Sequence, residues 1–200
     1  MFVLEGNIGS GKTTLLNNLA KHNIPIIPEP VDEWFQLKSN ENQSIFELFN
    51  NEPSKYAFEF QMVVMLSRLK KFIADTHTNT IFERSILTDK HIFVNTLNDN
   101  NSLTSIQSSI FHDWFNYVLK DVKKIKGIIY LRVDPKICFE RIAIRNRSSE
   151  NNIPFDYILA LHKKHEEWLI NNTDFDVLII DNNDQANLDK IKEFIKSRST

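Results

Sequence analysis

Along the chain, short apolar runs alternate with longer stretches in which apolar residues recur every three or four positions. Five runs read as strands, at residues 2–5, 25–29, 79–83, 127–133 and 176–181, each bounded by glycine, proline or polar residues. Prolines frame the second run and forbid helix there. The longer stretches read as helices over 13–23, 53–76, 105–120 and 154–171, with others beginning at Ser85 and Pro135 and a charged amphipathic one closing the chain. Pro53, Pro135 and Pro154 stand where helices start, and Ser85 can cap the helix that carries Asp89 and Phe93. Residues 34–52 read as a loop and one short helix.

Strands and helices in alternation predict one α/β domain over residues 1–200, a five-stranded parallel sheet with helices on both faces. No internal repeat or low-complexity tail interrupts it. Ligands collect at the carboxyl ends of such strands. That rule gathers the segment 6–13, Glu29, the pair Glu83-Arg84 and the segment after Val133 on one rim.

The net charge of −2 offers no field for a bulk polyanion, so nucleic acid is not an expected partner. No apolar run approaches the roughly 20 residues that span a bilayer. Cys138 is the only cysteine, which excludes an internal disulfide and fits a reducing compartment. The first strand begins at residue 2, leaving no room for a targeting peptide ahead of it, so a soluble cytoplasmic protein is expected.

Three of the four glycines lie in Gly6-Asn7-Ile8-Gly9-Ser10-Gly11-Lys12-Thr13, which satisfies G-x-x-x-x-G-K-[ST] at every fixed position. Such a loop turns backbone N–H groups onto phosphates through φ values that glycine adopts cheaply. Lys12 supplies a point charge, Thr13 a hydroxyl for Mg²⁺, and the following helix aims its positive end at the same phosphates. A chance glycine turn would not also have a strand before it and a helix behind it.

Glu29, framed by Pro28 and Pro30, is the candidate general base, against the plainer reading of a solvated strand-end glutamate. Glu83-Arg84-Ser85 suits a carboxylate that holds Mg²⁺ beside a guanidinium that holds the acceptor, or equally a local ion pair at a helix start. Arg141, Arg145 and Arg147 can surround a transferring phosphoryl group or form a solvated basic face. Gln61 and Arg68, seven apart, share one face of their helix among apolar neighbours. His162 and His165 lack the partners of a metal site and read as surface residues. Trp114 and Trp168 read as core or interface residues, and Trp34, five positions after Glu29, as a possible wall of the site.

The segments EGNIGSGKTT, EPVDEW, FEFQMVVMLSRL, FERSILTDKHIF and RIAIRNRSSENNIPFDYILALHKKHEEWL together resemble the deoxynucleoside kinases over nearly the whole chain. The resemblance implies a P-loop kinase fold with an arginine-bearing lid at about 141–153. It implies transfer of the γ-phosphoryl group of ATP or another nucleoside triphosphate, with Mg²⁺, to the 5′-hydroxyl of a deoxynucleoside, by a homodimer formed through helices. Position by position, Glu29 matches the family's base, Arg84 the arginine beside the acceptor, and Glu83 the magnesium-associated acid. Gln61 matches the glutamine on the base edge, Phe93 an aromatic against the base, Trp34 and Val64 walls of the nucleoside pocket, and Glu150 the acceptor of the sugar 3′-hydroxyl. Arg141, Arg145 and Arg147 match the lid arginines, while Gly6 to Lys12, Thr13, Thr14 and Asp181 fall to the triphosphate.

Arg68 and Asp89 match the pair carried near the base by deoxycytidine- and purine-type members, which favours those substrates over thymidine. An aspartate accepts from an exocyclic amino group and repels the 4-oxygen of thymine. One position departs from the pattern. Asn50 stands where relatives hold a sugar-contacting tyrosine, which bears on rejection of ribose. The rivals are a nucleoside monophosphate kinase, which needs extra cations for an acceptor phosphate, and a non-catalytic nucleotide-binding subunit of the same fold.

Overall fold

The computed structural model describes residues 1–121, 125–145, 153–171, 174–181 and 185–198. Five parallel strands, β1 (Phe2–Glu5), β2 (Ile26–Ile27), β3 (Ile81–Glu83), β4 (Gly127–Leu131) and β5 (Val177–Ile180), form one sheet in the order β2-β3-β1-β4-β5. β1 is central, with Leu4 opposite Glu83 on one side and Glu5 opposite Tyr130 on the other. The phosphate loop therefore leaves the sheet from its middle.

Side-chain alternation along the strands splits the core into two layers. Phe2, Leu4, Ile129 and Leu131 pack with Leu15, Leu16 and Leu19 of α1 (Lys12–Lys21) and with Leu188 and Ile191 of α10 (Gln185–Lys196). Val3, Phe82, Ile128 and Tyr130 face the other way, onto Met65 and Phe72 of α4 (Pro53–Ala74), Phe111 and Phe115 of α7 (Ser105–Val118), and Leu161 and Trp168 of α9 (Phe155–Asn171). Each fully buried Leu or Phe contributes about 1.5–3 kcal/mol. Two such layers fix the sheet, and with it the rim.

The remaining helices build the walls of the site. α2 (Val31–Gln36) and α3 (Ile45–Asn51) precede α4, α5 (Ile86–Thr88) runs through a single π-helical stretch, Asp89–Val94, into α6 (Asn95–Asp99), and α8 (Pro135–Arg145) follows β4. Ser44 caps α3 through a capping box with Glu47, and Ser85 caps α5 by accepting from the Leu87 N–H.

Three expectations are corrected. β2 stops at Ile27, so Glu29 stands two residues beyond the strand, and residues 31–36, the second half of them within the stretch read as a loop and one short helix, are helical. Asp32 and Glu33 in the first turn of α2 favour its dipole, and Trp34 anchors it in an aromatic cluster with Phe46 and Phe60. His165 is buried rather than superficial, because it lies one turn from Leu161 on the apolar face of α9. Its Nδ1 meets the Leu161 carbonyl oxygen at 2.7 Å, its ring stacks on Tyr130, and burial lowers its pKa to about 3.

Candidate active site

The phosphate loop is a tightly packed turn. Gly6, Gly9 and Gly11 have φ of 152°, 76° and 98°. A Cβ at Gly9 would lie 2.3 Å from the Cys138 carbonyl oxygen, and one at Gly6 2.7 Å from that of Leu131. Packing thus demands glycine there as firmly as the dihedral angles do. The Asn7 side chain ties the loop to α9, donating to the Ile158 carbonyl oxygen at 2.9 Å, while its Oδ1 accepts from the Ile8 N–H. Arg141 reaches over from α8 and donates to the Ser10 carbonyl oxygen at 3.0 Å.

Lys12 is folded back on the loop, its Nζ donating to the carbonyl oxygens of Gly6 (3.0 Å) and Asn7 (2.8 Å). Burial pulls its pKa down to about 8, and the charge of Arg84 adds to that, against the raising pull of Glu83, Glu29 and Glu5. One residue on, the Thr13 hydroxyl stands 3.2 Å from each carboxylate oxygen of Glu83. Among the described residues no three acidic, histidine or cysteine side chains gather as a metal cage. A hydroxyl and one carboxylate nonetheless suit Mg²⁺, which keeps waters and takes further oxygens from substrate phosphates.

Beside the loop lies a chain of alternating charge. Arg84 Nη1 donates to both oxygens of Glu29, at 3.0 and 2.9 Å, and Nη2 approaches the Gly6 carbonyl oxygen at 3.4 Å. Arg68 pairs with Glu29 through Nη2 and with Asp89 through Nη1. Glu29 is the most accessible of the four at 12%, and Asp89 is fully buried. Burial alone would raise the Glu29 carboxyl, but Arg84, Arg68 and Lys12 reverse that and hold it at about 2. Burial likewise lowers the Arg68 guanidinium, with Glu29 opposing.

Arg84 has φ of 62°, left-handed geometry that costs a side-chain-bearing residue about 1–3 kcal/mol. Its own N–H is held by the Leu4 carbonyl oxygen at 3.0 Å, and its guanidinium lies 5.1 Å from the Phe93 ring centroid. Strain of this kind is retained where the side chain must point to one place.

The loop and the charged chain open into one cleft of about 700 Å³. Ile8, Gly9 and Gly11 to Thr14 line one part, and Glu29, Arg68, Glu83 and Arg84 also face it. The rest of the wall is largely aromatic: Trp34, Phe46, Phe49 and Phe60, joined by Val64, Gln61 and Phe93. Phe49 and Phe60 stack with centroids 4.5 Å apart, and the Trp34 Nε1–H is taken by Ser67 Oγ at 3.0 Å. Gln61 is 3% exposed, and among the described residues its Oε1 has no hydrogen-bond partner. An aromatic-lined slot with an unsatisfied amide oxygen suits a ring carrying a hydrogen-bond donor.

The family model for deoxynucleoside kinase matches residues 2–198. The chain belongs to the deoxynucleoside kinase family. Deoxycytidine kinase 2 of Gallus gallus is 31% identical over 95% of this chain and 84% of its own length. Deoxycytidine kinase of Mus musculus is 30% identical over 97% and 90%. Mitochondrial thymidine kinase 2 of Macaca fascicularis is 32% identical over 87% of this chain and 66% of its own. Identity at this level does not separate cytosine- from thymine-directed members, so the choice of base falls to individual side chains.

The fold brings together most of the residues that the sequence singles out. Gly9, Gly11, Lys12, Thr13, Thr14, Glu29, Trp34, Gln61, Val64, Arg68, Glu83, Arg84, Phe93, Arg141 and Arg145 share the cleft. Asn50 is there too, its amide donating to the Phe46 carbonyl oxygen at 2.9 Å. Asp89 is not on the wall; it reaches the site only through Arg68. Asp181 lies in a neighbouring recess of about 340 Å³ with Arg132, Asp134 and His162, and Arg141 borders both spaces. Arg147 and Glu150, and with them residues 146–152 of the expected lid, lie outside the described residues.

Tyr157, Ile153 and Asp32, which no sequence motif singles out, also line the cleft. Tyr157 sits in the first turn of α9, and burial pushes its phenol up to about 12. Within 154–171 nothing local separates a site tyrosine from a core one; only the approach of α9 to the loop through Asn7 does so.

Proposed function

We propose that this chain phosphorylates the 5′-hydroxyl of a deoxynucleoside, using ATP or another nucleoside triphosphate with Mg²⁺, and that it favours cytosine and the amino-bearing purines over thymine. The observation that carries the reading is the position of Glu29 and Arg84, facing one cleft that runs from the phosphate loop to the aromatic slot.

Held charged by two guanidinium groups, Glu29 accepts the 5′-hydroxyl proton in a hydrogen bond and takes it over late, as the oxygen bonds to phosphorus. A loose phosphoryl-transfer transition state asks little of a base before that point, so a weakly basic carboxylate suffices. Arg84, between Glu29 and the Gly6 carbonyl, is placed to exchange its carboxylate contact for the developing charge on the transferring group. Lys12, Arg141 and Arg145 add positive charge around the phosphates. Thr13 and Glu83 hold Mg²⁺, which supplies charge neutralisation at the phosphate oxygens when bound. Asp181, in the adjoining recess that Arg141 also borders, belongs to the donor side.

For the base, Gln61 offers an amide to the ring edge between Phe93 and the aromatic slot. The unpaired Gln61 Oε1 is an acceptor for an exocyclic amino group, and Asp89 bears on the base indirectly, by holding Arg68 at the cleft wall. The experiment is kcat/KM for the four deoxynucleosides with ATP and Mg²⁺. Deoxycytidine, deoxyadenosine and deoxyguanosine are each expected above thymidine, and thymidine as the fastest substrate would overturn the preference.

A homodimer through α4 and α7 fits the same reading. The two helices pack together and leave Leu66, Ile73, Ile106, Trp114 and Tyr117 more than half exposed, the kind of apolar surface that marks an interface. Sedimentation at the mass of two chains is expected; a single-chain mass at micromolar concentration counts against it.

A further inference from the structure

Glu5 ends β1, next to Gly6 of the phosphate loop, and is fully buried. A carboxyl group there is costly unless something holds it. Burial pushes it up to about 7, although the Thr88 hydrogen bond and the charges of Arg84, Arg68 and Lys12 pull the other way. Among the described residues only one of its oxygens has a hydrogen-bond partner: Oε1 accepts from the Thr88 hydroxyl at 2.5 Å, while Oε2 has none.

The Thr88 hydroxyl is itself an acceptor, receiving the Ser85 N–H at 2.9 Å. Its single proton is committed to Glu5 and its oxygen to Ser85, so the three groups form one directed relay. Ser85 follows Arg84, the residue strained at φ 62°. Two successive N–H groups at the end of β3 are thus held by two successive residues of β1. Leu4 takes that of Arg84 through its carbonyl, and Glu5 takes that of Ser85 through Thr88.

We infer that Glu5 is a positioning residue for phosphoryl transfer, which acts through Thr88 and the Ser85 amide to keep Arg84 in its left-handed conformation and its guanidinium between Glu29 and the phosphate loop. The inference rests on the kinase reading for the role of Arg84, and only there. A hydrophobic residue would fill the same space at the end of β1 and leave the Ser85 N–H and the Thr88 hydroxyl without this anchor. Because the brace acts on an arginine that matters most in the transition state, its loss shows in kcat rather than in substrate affinity.

Thr88→Val removes the hydroxyl at nearly constant volume, and Thr88→Ser keeps it. Thr88→Val and Glu5→Leu should each lower kcat by about tenfold or more with both KM values within about twofold, while Thr88→Ser stays within about threefold of the parent. The double variant Glu5→Leu/Thr88→Val should lose no more than the worse single one, since both cut the same relay. A kcat for Thr88→Val within twofold of the parent, or a Thr88→Ser variant as impaired as Thr88→Val, would overturn the inference, and this pair decides it even where Glu5→Leu fails to fold. Hydrogen exchange at the Ser85 amide reads the brace with no substrate present. It should accelerate at least about tenfold in Thr88→Val and not in Thr88→Ser; equal exchange in both defeats the inference whatever the activity of the parent enzyme, whereas a parent inactive on every deoxynucleoside defeats the kinase reading instead.

Discussion

Glu29→Gln is expected to lower kcat by about 10² to 10⁴ while the acceptor nucleoside still binds within a few-fold of the parent affinity. The amide keeps an oxygen that accepts from Arg84 and the 5′-hydroxyl, so the geometry of the ground state survives. What is lost is the capacity to take the proton. The same substitution removes the anion shared by Arg68 and Arg84, and breaking a buried pair from one side costs up to about 3–5 kcal/mol. Stability must therefore be measured beside activity. The folded enzyme holds Glu29 at about 2, below its ordinary 4.5. Its charge thus stabilises the fold fully above pH 4.5, and that contribution is lost as the pH falls from 4.5 toward 2. Glu29→Gln should be missing that part of the acid dependence, which is followed by thermal unfolding. A variant that retains a near-normal kcat removes Glu29 from the role of base.

Arg84→Lys is expected to cost about 10³ in kcat, the lower end of what an arginine supplies in related phosphoryl transfer. Charge is conserved in that exchange, and the loss comes from shape. The guanidinium meets both Glu29 oxygens and the Gly6 carbonyl with separate nitrogens, whereas an ammonium is a point charge that cannot keep those contacts from one position. The nucleoside KM should rise only a few-fold, since Arg68 still holds Glu29 in place. Steady-state kinetics with the nucleoside and ATP varied in turn makes the separation. Equal losses in kcat and in affinity would place Arg84 in ground-state binding alone.

Much of this site was legible in the sequence because its signals are local. Three glycines at fixed spacing can be read without knowing what they touch, although the structure adds why Gly9 must be glycine, with the Cys138 carbonyl where a side chain would go. Gln61 and Arg68 share the cleft because seven residues are two helical turns, and α4 is continuous through both. The parallel sheet followed from the order of strands and helices, and its order of strands from pairing that only the folded chain reveals.

What escaped depends on contacts between distant segments. Whether Asp89 faces the substrate or Arg68 is decided by an arginine 21 positions earlier. His165 looks solvated until α9 is laid on Tyr130 of β4. Tyr157 joins the cleft because Asn7 pulls the start of α9 against the phosphate loop. The weight of Glu5 is likewise invisible in a strand of four residues until Thr88, 83 positions on, is seen to donate to it.

The sharpest division between the proposed reaction and its nearest rival is the charge of the acceptor. A carboxylate at the mouth of the phosphate loop attracts a hydroxyl and repels a phosphate. The direct measurement is turnover of deoxycytidine against deoxycytidine 5′-monophosphate under identical ATP and Mg²⁺, with the product identified. The account predicts conversion of deoxycytidine to its 5′-monophosphate and no comparable conversion of the monophosphate; a monophosphate phosphorylated faster than the nucleoside would contradict it.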